Sequence, residues 1–385
     1  VTGNGDYVGG LVGRNSECSI NMSYATGEVA GIGKYVGGLV GYVQGSSISD
    51  SYATGNITGT GDYVGGLVGY SYACPINNSY ATGDASGKSN YVGGLVGRSL
   101  ALTPINNSYA TGDVSGIGNY AGGLVGSNEN NSPISNSYAT GSVTGTNGYI
   151  GGLLGSNLDS SITDSGATGI VSGAYTLGGL VGYNHGSSIT DSYATGSVTG
   201  TGNNVGGLVG LNASSSTITN SYAAGSVSGG SSVGGLVGNN SDSSITDSYW
   251  DKTINSDPAM DNGYGIGKTT AELMQQDTYI GWDFTDTWWM VEGETRPFLQ
   301  MEFGTDITNA HQLQLMAMDL DADYTLARDI DMSELTNPSG MWNTERGFVP
   351  VGNLSNNFTG SLDGQGHFFS DLYINRPGTD YIGLF

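Results

Sequence analysis

Apolar and polar positions in the first 250 residues follow one pattern that returns about every 28 residues. Each copy has a piece such as Tyr35–Val40, a second piece from Ile48 to Tyr52, and a short third piece around Ile57. Gly, Asn, Asp and Ser separate the pieces, and nothing between them has the 3.6-residue period of a helix. The pattern predicts three short β-strands per copy, with the glycine pair at a corner.

Two anchors fix the phase of the copies. The first is Gly-Gly-Leu-Val-Gly or a close variant, with its first glycine at Gly9, Gly37, Gly65, Gly93, Gly122, Gly151, Gly178, Gly206 and Gly234. The second is Ser-Tyr-Ala-Thr-Gly or a variant, beginning at Ser23, Ser51, Ser79, Ser108, Ser137, Ser165, Ser192, Ser221 and Ser248. Since one copy cannot bury its apolar side alone, we expect nine coils to stack as an all-β solenoid, a parallel β-helix. Nine coils would span roughly 43 Å at the interstrand spacing.

The columns of equivalent residues predict which side chains face inward. The position before Thr-Gly is always alanine, from Ala25 to Ala223, which is typical of a tightly packed inner column. The tyrosine beside it, from Tyr24 to Tyr249, would then point outward, because neighbouring residues of a strand face opposite sides. We therefore expect an aromatic ladder on the surface.

The periodicity stops near Trp250 and predicts a change of domain. We expect three parts: the solenoid array at 1–250, a cap at 251–302, and at 303–385 the module that leads into a following β-solenoid. In the cap, Lys268–Gln276 reads as a short helix, followed by an aromatic cluster around Trp288. In the last part, Asn309 caps a predicted helix that runs to about Asp319.

Recurring Gly-Leu-hydrophobic-Gly with Ser-Tyr-Ala-Thr-Gly between copies resembles the GLUG repeat, over about residues 1–250. That repeat occurs in large bacterial surface proteins, in adhesin-like proteins, and beside the catalytic parts of some IgA-cleaving metallopeptidases. The resemblance implies an extracellular or cell-surface location. It implies no catalytic residues, because the repeats are accessory even where a peptidase is attached.

The charge balance limits the classes of molecule that the chain is expected to bind. The chain has 34 Asp+Glu against 10 Lys+Arg, a net charge of −24. Nucleic acid and anionic membrane surfaces both require clustered cations, so neither is an expected partner. No run approaches 18 apolar residues, so we expect no membrane insertion. An acidic surface suits a secreted protein and oxygen-ligated divalent cations.

Motifs that would indicate catalysis are incomplete. Asn262–Thr269 resembles a phosphate-binding loop but has Asn where the motif needs Gly, and we interpret it as a Gly-rich turn. His185, His311 and His367 form no His-Glu-x-x-His pattern. We therefore expect that the chain is not an enzyme.

The predicted stacking register of the coils can be tested at two columns of equivalent residues. Lys34 shares a column with Asp6 and Asp62, so we expect it between two carboxylates in adjacent coils. Cys18 and Cys74 share a column two coils apart, about 9.6 Å at the interstrand spacing. That distance exceeds the Cα reach of a disulfide, so both thiols should be unbridged.

One column is rich in Asn and Asp: Met22, Asp50, Asn78, Asn107, Asn136, Asp164, Asp191, Asn220 and Asp247. The favoured interpretation is a ladder of turn residues whose side chains bond to each other and to the backbone. The alternative is a Ca²⁺ site at Asp164 and Asp191, which carry like charges in adjacent coils. Apart from this Ca²⁺, we expect no cofactor.

We expect the chain to be a rigid stalk or filament segment of an adhesin-like surface protein. The sequence begins inside an array and stops at what would be the first strand of another, so we expect its ends to mate by strand addition. The predicted partner is then the chain itself, joined head to tail as a filament or tandem array. The predicted interface residues are Tyr7, Val8, Leu11, Val12, Tyr381, Ile382, Leu384 and Phe385.

Three alternatives remain open. A module that binds surface glycans would use the tyrosine ladders as stacking platforms, and a polysaccharide-processing β-helix would need clustered acids in one groove. An ice-binding solenoid would need a flat, regular threonine array. The array has one well-kept threonine column, Thr26, Thr54, Thr82, Thr111, Thr140, Thr168 and Thr195.

Overall fold

The structure is a computed structural model that describes residues 1–88, 90–380 and 382–385. It contains two compact units, Val1–Lys268 and Thr269–Phe385. The first unit is the predicted solenoid, and the strand Ile266–Lys268 extends one of its sheets beyond residue 250 by pairing with Tyr249–Asp251. The division between the units lies inside the segment predicted as a cap.

The solenoid has four sheets, and all of its strand pairs are parallel within the described residues. Sheet 1 contains Tyr7–Gly9, Tyr35–Gly37, Tyr63–Gly65, Tyr91–Gly93, Tyr120–Gly122, Tyr149–Gly151, Thr176–Gly178, Asn204–Gly206 and Val233–Gly234. Sheet 2 contains Val12–Ser16, Val40–Gln44, Val68–Tyr72, Val96–Leu100, Val125–Glu129, Leu154–Leu158, Val181–His185, Val209–Ala213 and Val237–Ser241.

Sheet 3 is built from two short strands per coil, which merge into one in the sixth and seventh coils. Its strands are Ile20–Asn21, Tyr24–Ala25, Ile48–Ser49, Tyr52–Ala53, Ile76–Asn77, Tyr80–Ala81, Ile105–Asn106, Tyr109–Ala110, Ile134–Ser135, Tyr138–Ala139, Ser161–Ala167, Ser188–Ala194, Thr217–Thr219, Tyr222–Ala223, Ser244–Thr246, Tyr249–Asp251 and Ile266–Lys268. Sheet 4 contains Thr2–Gly3, Val29–Gly31, Ile57–Gly59, Ala85–Gly87, Val114–Gly116, Val143–Gly145, Val171–Gly173, Val198–Gly200 and Val227–Ser228. The predicted β-solenoid is confirmed.

The glycine pair divides the first predicted strand of each coil into two, one in sheet 1 and one in sheet 2. Equivalent residues pair in register, as Tyr35 does with Tyr7 and Tyr63. A Cβ at Gly38 would lie 2.0 Å from the carbonyl oxygen of Gly66 in the next coil. The backbones therefore approach at this corner to a distance that only glycine permits.

Apolar columns fill the interior in two rows. One row packs Leu39, Val40, Ile48 and Ala53 with their equivalents along the stack. The other packs Val36 and its equivalents against the column of Ile57. The alanine column is buried from Ala53 onward, as predicted. Stacking thus buries side chains that a single coil would expose, which is the main stabilisation of such repeats.

A column of buried serines connects neighbouring coils. The backbone N–H of Ser51 donates to the Ser79 hydroxyl at 3.2 Å, and that hydroxyl donates to the Asn77 carbonyl at 2.7 Å. The same N–H to hydroxyl bond joins every neighbouring pair in the column from Ser23 to Ser248. The bonds satisfy backbone donors at a turn where the sheet does not pair them.

The second unit combines short strands and helical turns. Its strands are Trp288–Trp289 with Phe298–Leu299 (antiparallel), Asp306–Ile307, Asp323–Leu326 and Ser361–Asp363 (one parallel sheet), and Ile330–Asp331 with Phe369–Ser370 (parallel). Its α-helix is Ala310–Leu315, and its 3-10 turns are Glu272–Met274, Gln276–Thr278, Gln300–Glu302, Met316–Met318 and Ser333–Thr336. A further 3-10 turn, Pro258–Met260, belongs to the first unit.

Two helix predictions had different outcomes. Asn309 caps the α-helix as expected, since its side chain accepts from the Gln312 N–H at 2.9 Å. The helix predicted at Lys268–Gln276 is wrong, because Lys268 ends a strand of the solenoid and a 3-10 turn follows. The sequence signal for the start of a helix was nevertheless correct, because Thr269 and Glu272 form the two reciprocal hydrogen bonds of a capping box around that turn.

Candidate functional surfaces

Two columns of stacked tyrosines run along the solenoid. The first column comprises Tyr7, Tyr35, Tyr63, Tyr91, Tyr120 and Tyr149, and the second comprises Tyr24, Tyr52, Tyr80, Tyr109 and Tyr138. In the second column the ring centroids are 4.8–5.1 Å apart and the planes differ by 2–6°. The faces of each ring therefore contact the neighbouring rings, and mainly the ring edge and the hydroxyl group are exposed to solvent.

The outward prediction for tyrosine holds only for part of the array. Tyr24 through Tyr138 are exposed or half-buried, but Tyr193, Tyr222 and Tyr249 are buried. The column changes at Gly166, which stands where a tyrosine is expected. A Cβ there would lie 2.6 Å from the Tyr193 ring, so that ring occupies the space left by the missing side chain.

Three of the four cations in the first 250 residues lie over tyrosine rings. Arg14 is 5.5 Å from the ring centroid of Tyr7, and Arg98 is 5.2 Å from that of Tyr91. Arg98 also pairs with Glu129 through two hydrogen bonds of 3.0 and 2.6 Å. Burial raises the pKa of Tyr91 to about 12, although the Arg98 guanidinium acts in the opposite direction. The Tyr91 phenol therefore stays protonated at neutral pH.

Lys34 has the predicted register but a different contact. Its carbonyl accepts from the Tyr63 N–H, and the Tyr35 N–H donates to the Asp6 carbonyl, so Lys34 lies one coil from both aspartates. Its ammonium nitrogen lies 5.5 Å from the ring centroid of Tyr35 and 5.9 Å from that of Tyr63. The Lys34 ammonium thus lies against the stacked tyrosine column, in the coil between those of Asp6 and Asp62.

The Asn and Asp column adopts left-handed backbone conformations. Asp164 and Asp191 have φ of 46° and 47°, in the region where Asn and Asp are tolerated best among residues with a Cβ. Earlier in the column, Asn78 donates to the Asp50 carboxylate at 3.1 Å. Burial and the neighbouring Asp191 charge raise the pKa of Asp164 to about 6. Turn geometry accounts for the residue types, and the Ca²⁺ site stays a prediction.

Within residues 1–88, 90–380 and 382–385, no group of three His, Cys, Asp or Glu residues is arranged to hold a metal ion. Cys18 and Cys74 are both unbridged, as expected. Cys74 stands in a column otherwise made of Ser and Thr from Ser46 onward, and its N–H donates to the Thr103 hydroxyl at 3.3 Å. Burial raises the pKa of the Cys74 thiol to about 12.

The residues predicted to mate the two ends lie in different units. In the first coil, Tyr7 and Leu11 are exposed, Val12 is partly exposed and Val8 is buried. In the second unit, Ile382 is exposed and Tyr381 lies outside the described residues. Residues 382–385 form no strand. The Leu384 carbonyl accepts from the Val351 N–H at 2.8 Å, and Phe385 stacks on Phe358.

A buried ionic cluster in the second unit was not predicted. His311 Nδ1 lies 2.7 Å from Glu302 Oε2, and His311 Nε2 lies 3.1 Å from Glu334 Oε2. Burial alone would lower the pKa of His311, but Glu334 and Glu302 raise it to about 10. The imidazole is therefore a buried cation at neutral pH. Both of its nitrogens face carboxylates, which suits a structural contact better than proton transfer to a substrate.

The repeat coils match a known sequence family. The model of the GLUG motif matches nine successive segments, at residues 4–30, 32–58, 60–86, 88–115, 117–144, 146–172, 173–199, 201–228 and 229–254. Together they cover more than half of the 385 residues. The chain belongs to the GLUG-motif family.

Two curated relatives share part of the GLUG array. Halomucin from Haloquadratum walsbyi is 48% identical over 65 residues, which are 16% of this chain and 1% of halomucin. A protein named as a Gly-rich membrane protein from Evansella cellulosilytica is 37% identical over 62 residues, which are 16% of this chain and 7% of that protein. The matched stretches are thus a small fraction of these relatives. Neither name describes an enzyme.

One solved structure resembles the chain. It is a protein from Bacteroides ovatus described as an immunoglobulin A1 protease, with a TM-score of 0.48 and 20% sequence identity. The match covers 72% of this chain and 86% of that one. Among the described residues of the GLUG chain, none of the helices is long and apolar enough to cross a membrane.

Sequence reasoning missed the polar interior of the GLUG coils. A buried amide ladder joins Asn128, Asn157, Asn184, Asn212 and Asn240, each Nδ2 donating to the Oδ1 of the next coil at 2.8–3.1 Å. The signal was available, because in five successive coils an asparagine lies five positions after the second glycine of the Gly-Gly-Leu-Val-Gly anchor or its variant. The His311 cluster carried no such signal, since its three residues lie 9 and 23 positions apart.

Proposed function

We propose that this chain is a non-enzymatic structural segment of an extracellular or cell-surface protein, a rigid stalk or filament segment of an adhesin-like protein. The observation that carries the proposal is the uninterrupted pairing of all four sheets through nine coils. Bending such a stack separates many backbone hydrogen bonds at once, so the array resists bending. The GLUG family and the relative named halomucin support a structural role at a surface.

Self-assembly is the finer part of the proposal. In sheet 1 the strand Tyr7–Gly9 pairs on one side with Tyr35–Gly37, and a further strand would add on its other side. A segment of the same chain or a second copy would continue the stack there, as strand addition does in other assemblies. Ile382, Leu384 and Phe385 would have to leave their present contacts to serve as that segment. The proposed partner is the chain itself.

Carbohydrate binding on the tyrosine columns is less well supported. A sugar ring stacks on the face of an aromatic ring, and in both columns those faces are occupied by the neighbouring tyrosines. The edges and hydroxyls that remain offer hydrogen bonds without a stacking platform. We therefore do not assign the alternative glycan function to this surface.

A length series tests the stalk proposal. Versions of the array with three, six and nine coils would be displayed between a surface anchor and a fluorescent epitope, and the height of the epitope measured by energy transfer to the membrane. We expect the height to rise by about 4.8 Å per coil. A height that does not depend on coil number would reject a rigid stalk.

Two further measurements test location and assembly. Antibodies against residues 1–268 should label intact cells of the source organism, and labelling only after permeabilisation would contradict a surface role.

For assembly, deletion of residues 379–385 should reduce the particle size seen by size exclusion and electron microscopy. A full-length chain that is already a monodisperse monomer, or a deletion that assembles equally well, would reject the head-to-tail contact.

A further inference from the structure

The second tyrosine column repeats one reactive side chain at intervals of one coil. Tyr80 pairs in register with Tyr52 on one side and with Tyr109 on the other. Its ring centroid lies 4.9 Å from that of Tyr52 and 4.8 Å from that of Tyr109, and in both pairs the ring planes differ by 2°. The ring carbons beside each hydroxyl group therefore lie one interstrand spacing, about 4.8 Å, from the same carbons of the next ring.

The phenol groups of this column are accessible to solvent. Tyr24 is 60% exposed, and the other four members are half-buried. Tyr193 and Tyr222 also stack, with centroids 5.5 Å apart and planes that differ by 13°, but these side chains are 1% and 0% exposed. A dissolved oxidant can reach the phenols of the second column but not those of this buried pair, which is therefore an internal control.

The first tyrosine column is packed differently. The faces of the Tyr35 ring are covered by the stacked rings of Tyr7 and Tyr63. Tyr42 and Tyr70 contact Tyr35 at interplanar angles of 73°, with centroids 5.2 and 5.7 Å away, and therefore lie against its edge. A ring that is packed on both its faces and its edge has little freedom to turn about its Cβ–Cγ bond.

Neighbouring phenols of this kind can be joined by oxidation. A phenol that gives one electron to an oxidant and its proton to water becomes a phenoxyl radical, whose unpaired electron is shared by the ring carbons beside the oxygen. Two such radicals form a carbon–carbon bond, and the hydrogen on each bonded carbon then moves to its oxygen through water, which restores both hydroxyl groups. One molecule of hydrogen peroxide accepts the two electrons and two protons and becomes two molecules of water.

We propose that the second tyrosine column is an oxidative modification site, at which hydrogen peroxide and a peroxidase form dityrosine bonds between neighbouring coils. A ring of this column turns about its Cβ–Cγ bond, on the solvent side, until its edge meets the edge of the next ring. Each bond closes a loop of one coil and thereby restricts the unfolded chain, as a disulfide does. The modification concerns the array itself and does not depend on the proposed stalk role.

The test uses the full 385-residue chain at low concentration, treated with a plant peroxidase and hydrogen peroxide, then digested and analysed by mass spectrometry. We expect cross-linked peptides, lighter by two hydrogen atoms than the sum of their parts, that join Tyr52 with Tyr80 and Tyr80 with Tyr109. The midpoint of urea unfolding of the array should rise after the treatment. In a chain unfolded in urea beforehand, the preference for these pairs should disappear, because the stacking is lost.

Tyr80→Phe keeps the stacked ring and removes the hydroxyl group that the oxidation requires. It should abolish both bonds of Tyr80 and lower the dityrosine yield of the column by about half, because two of the four stacked pairs contain Tyr80. Tyr109→Phe should have the same effect on its own two pairs, and circular dichroism shows that each variant is folded. The matched control is Tyr120→Phe, which removes a hydroxyl group from the first column and should leave the yield of the second unchanged.

Several outcomes would overturn the proposal. A treated chain without dityrosine between neighbouring coils excludes the modification, and so does a yield that both Tyr80→Phe and Tyr109→Phe leave unchanged. Bonds that form as readily in the first column would show that the packing of the rings does not select the site. A product dominated by Tyr175, which is 55% exposed and lies outside both columns, would show that exposure alone decides. Bonds that join only separate chains would assign the reaction to contacts between molecules.

Discussion

Asn128 Nδ2 donates a hydrogen bond to Asn157 Oδ1 in the next coil at 3.1 Å, whereas Asn128 Oδ1 accepts none within the described part of the chain. The amide ladder begins here because the preceding coil has Ser99 in this column. Ser99 directs its hydroxyl to the Thr103 carbonyl at 3.4 Å and therefore does not donate to Asn128. The first member of the ladder is left with a buried, unsatisfied oxygen.

Ser99→Asn should extend the ladder by one coil and stabilise the solenoid. The new amide would donate to Asn128 Oδ1 and satisfy it, a gain of about 1 kcal/mol. The measurement is the free energy of unfolding in urea. Ser71→Asn is the matched control, since it adds the same amide one coil earlier, out of reach of Asn128. Equal stability changes in the two variants would show that the unsatisfied oxygen is not the cause.

Ser137→Ala should destabilise the solenoid by about 1–3 kcal/mol, because the buried Ser108 N–H would lose its acceptor. Unfolding in urea, followed by circular dichroism, measures the change. Ser115→Ala is the control, since Ser115 is exposed in sheet 4 one coil earlier. If both serines can be replaced at the same cost, the serine column contributes nothing specific.

Asp164→Asn should raise the stability of the solenoid at pH 7.5. The pKa of Asp164 is raised to about 6 in the folded chain, so its favourable contribution is complete below the unfolded pKa and is lost as pH rises through about 6. Because Asp164 is only half-buried, solvent screening limits the effect to about 1 kcal/mol. Asparagine keeps the left-handed turn and removes the charge.

The measurement for Asp164 is the melting temperature of variant and unmodified chain between pH 4.5 and 7.5. Their difference should grow with pH to roughly 2–4 °C. Asp50→Asn is the control, since Asp50 is exposed and lies beside Asn78 instead of a second carboxylate. A melting temperature that rises with millimolar Ca²⁺ in the unmodified chain, and not in Asp164→Asn, would support the predicted metal site.

The second unit should lose stability at alkaline pH through His311. Its pKa is raised to about 10, so the stabilisation is complete below its unfolded value of about 6.5 and is lost as pH rises through about 10. His311→Gln should destabilise the unit by about 3 kcal/mol, since two buried carboxylates lose their cation. Tryptophan fluorescence during urea unfolding reports the change. His367→Gln, which removes an exposed pair with Asp329, should have little effect.

The repeats made much of the solenoid predictable. Equivalent residues such as Tyr35 and Tyr63 fix the register by position alone, and the small size of Ala53 indicates its inward side. The division of the first predicted strand into two at Gly38 depends on the distance between neighbouring coils, and the sequence of a single repeat does not show that distance. In the second unit, contacts such as that of His311 with Glu334 join residues that are not part of a repeat. The sequence therefore has no column of equivalent residues from which such a contact could be predicted.

The serine column has a consequence for how this protein can change in length. Ser79 receives an N–H from the coil before it and offers its own N–H to the coil after it, with the same geometry as Ser108. An inserted coil would meet identical donors and acceptors on both sides. In-frame duplication or loss of one repeat in the gene therefore leaves each remaining interface intact, and the reach of the protein becomes a trait that selection can adjust in single steps.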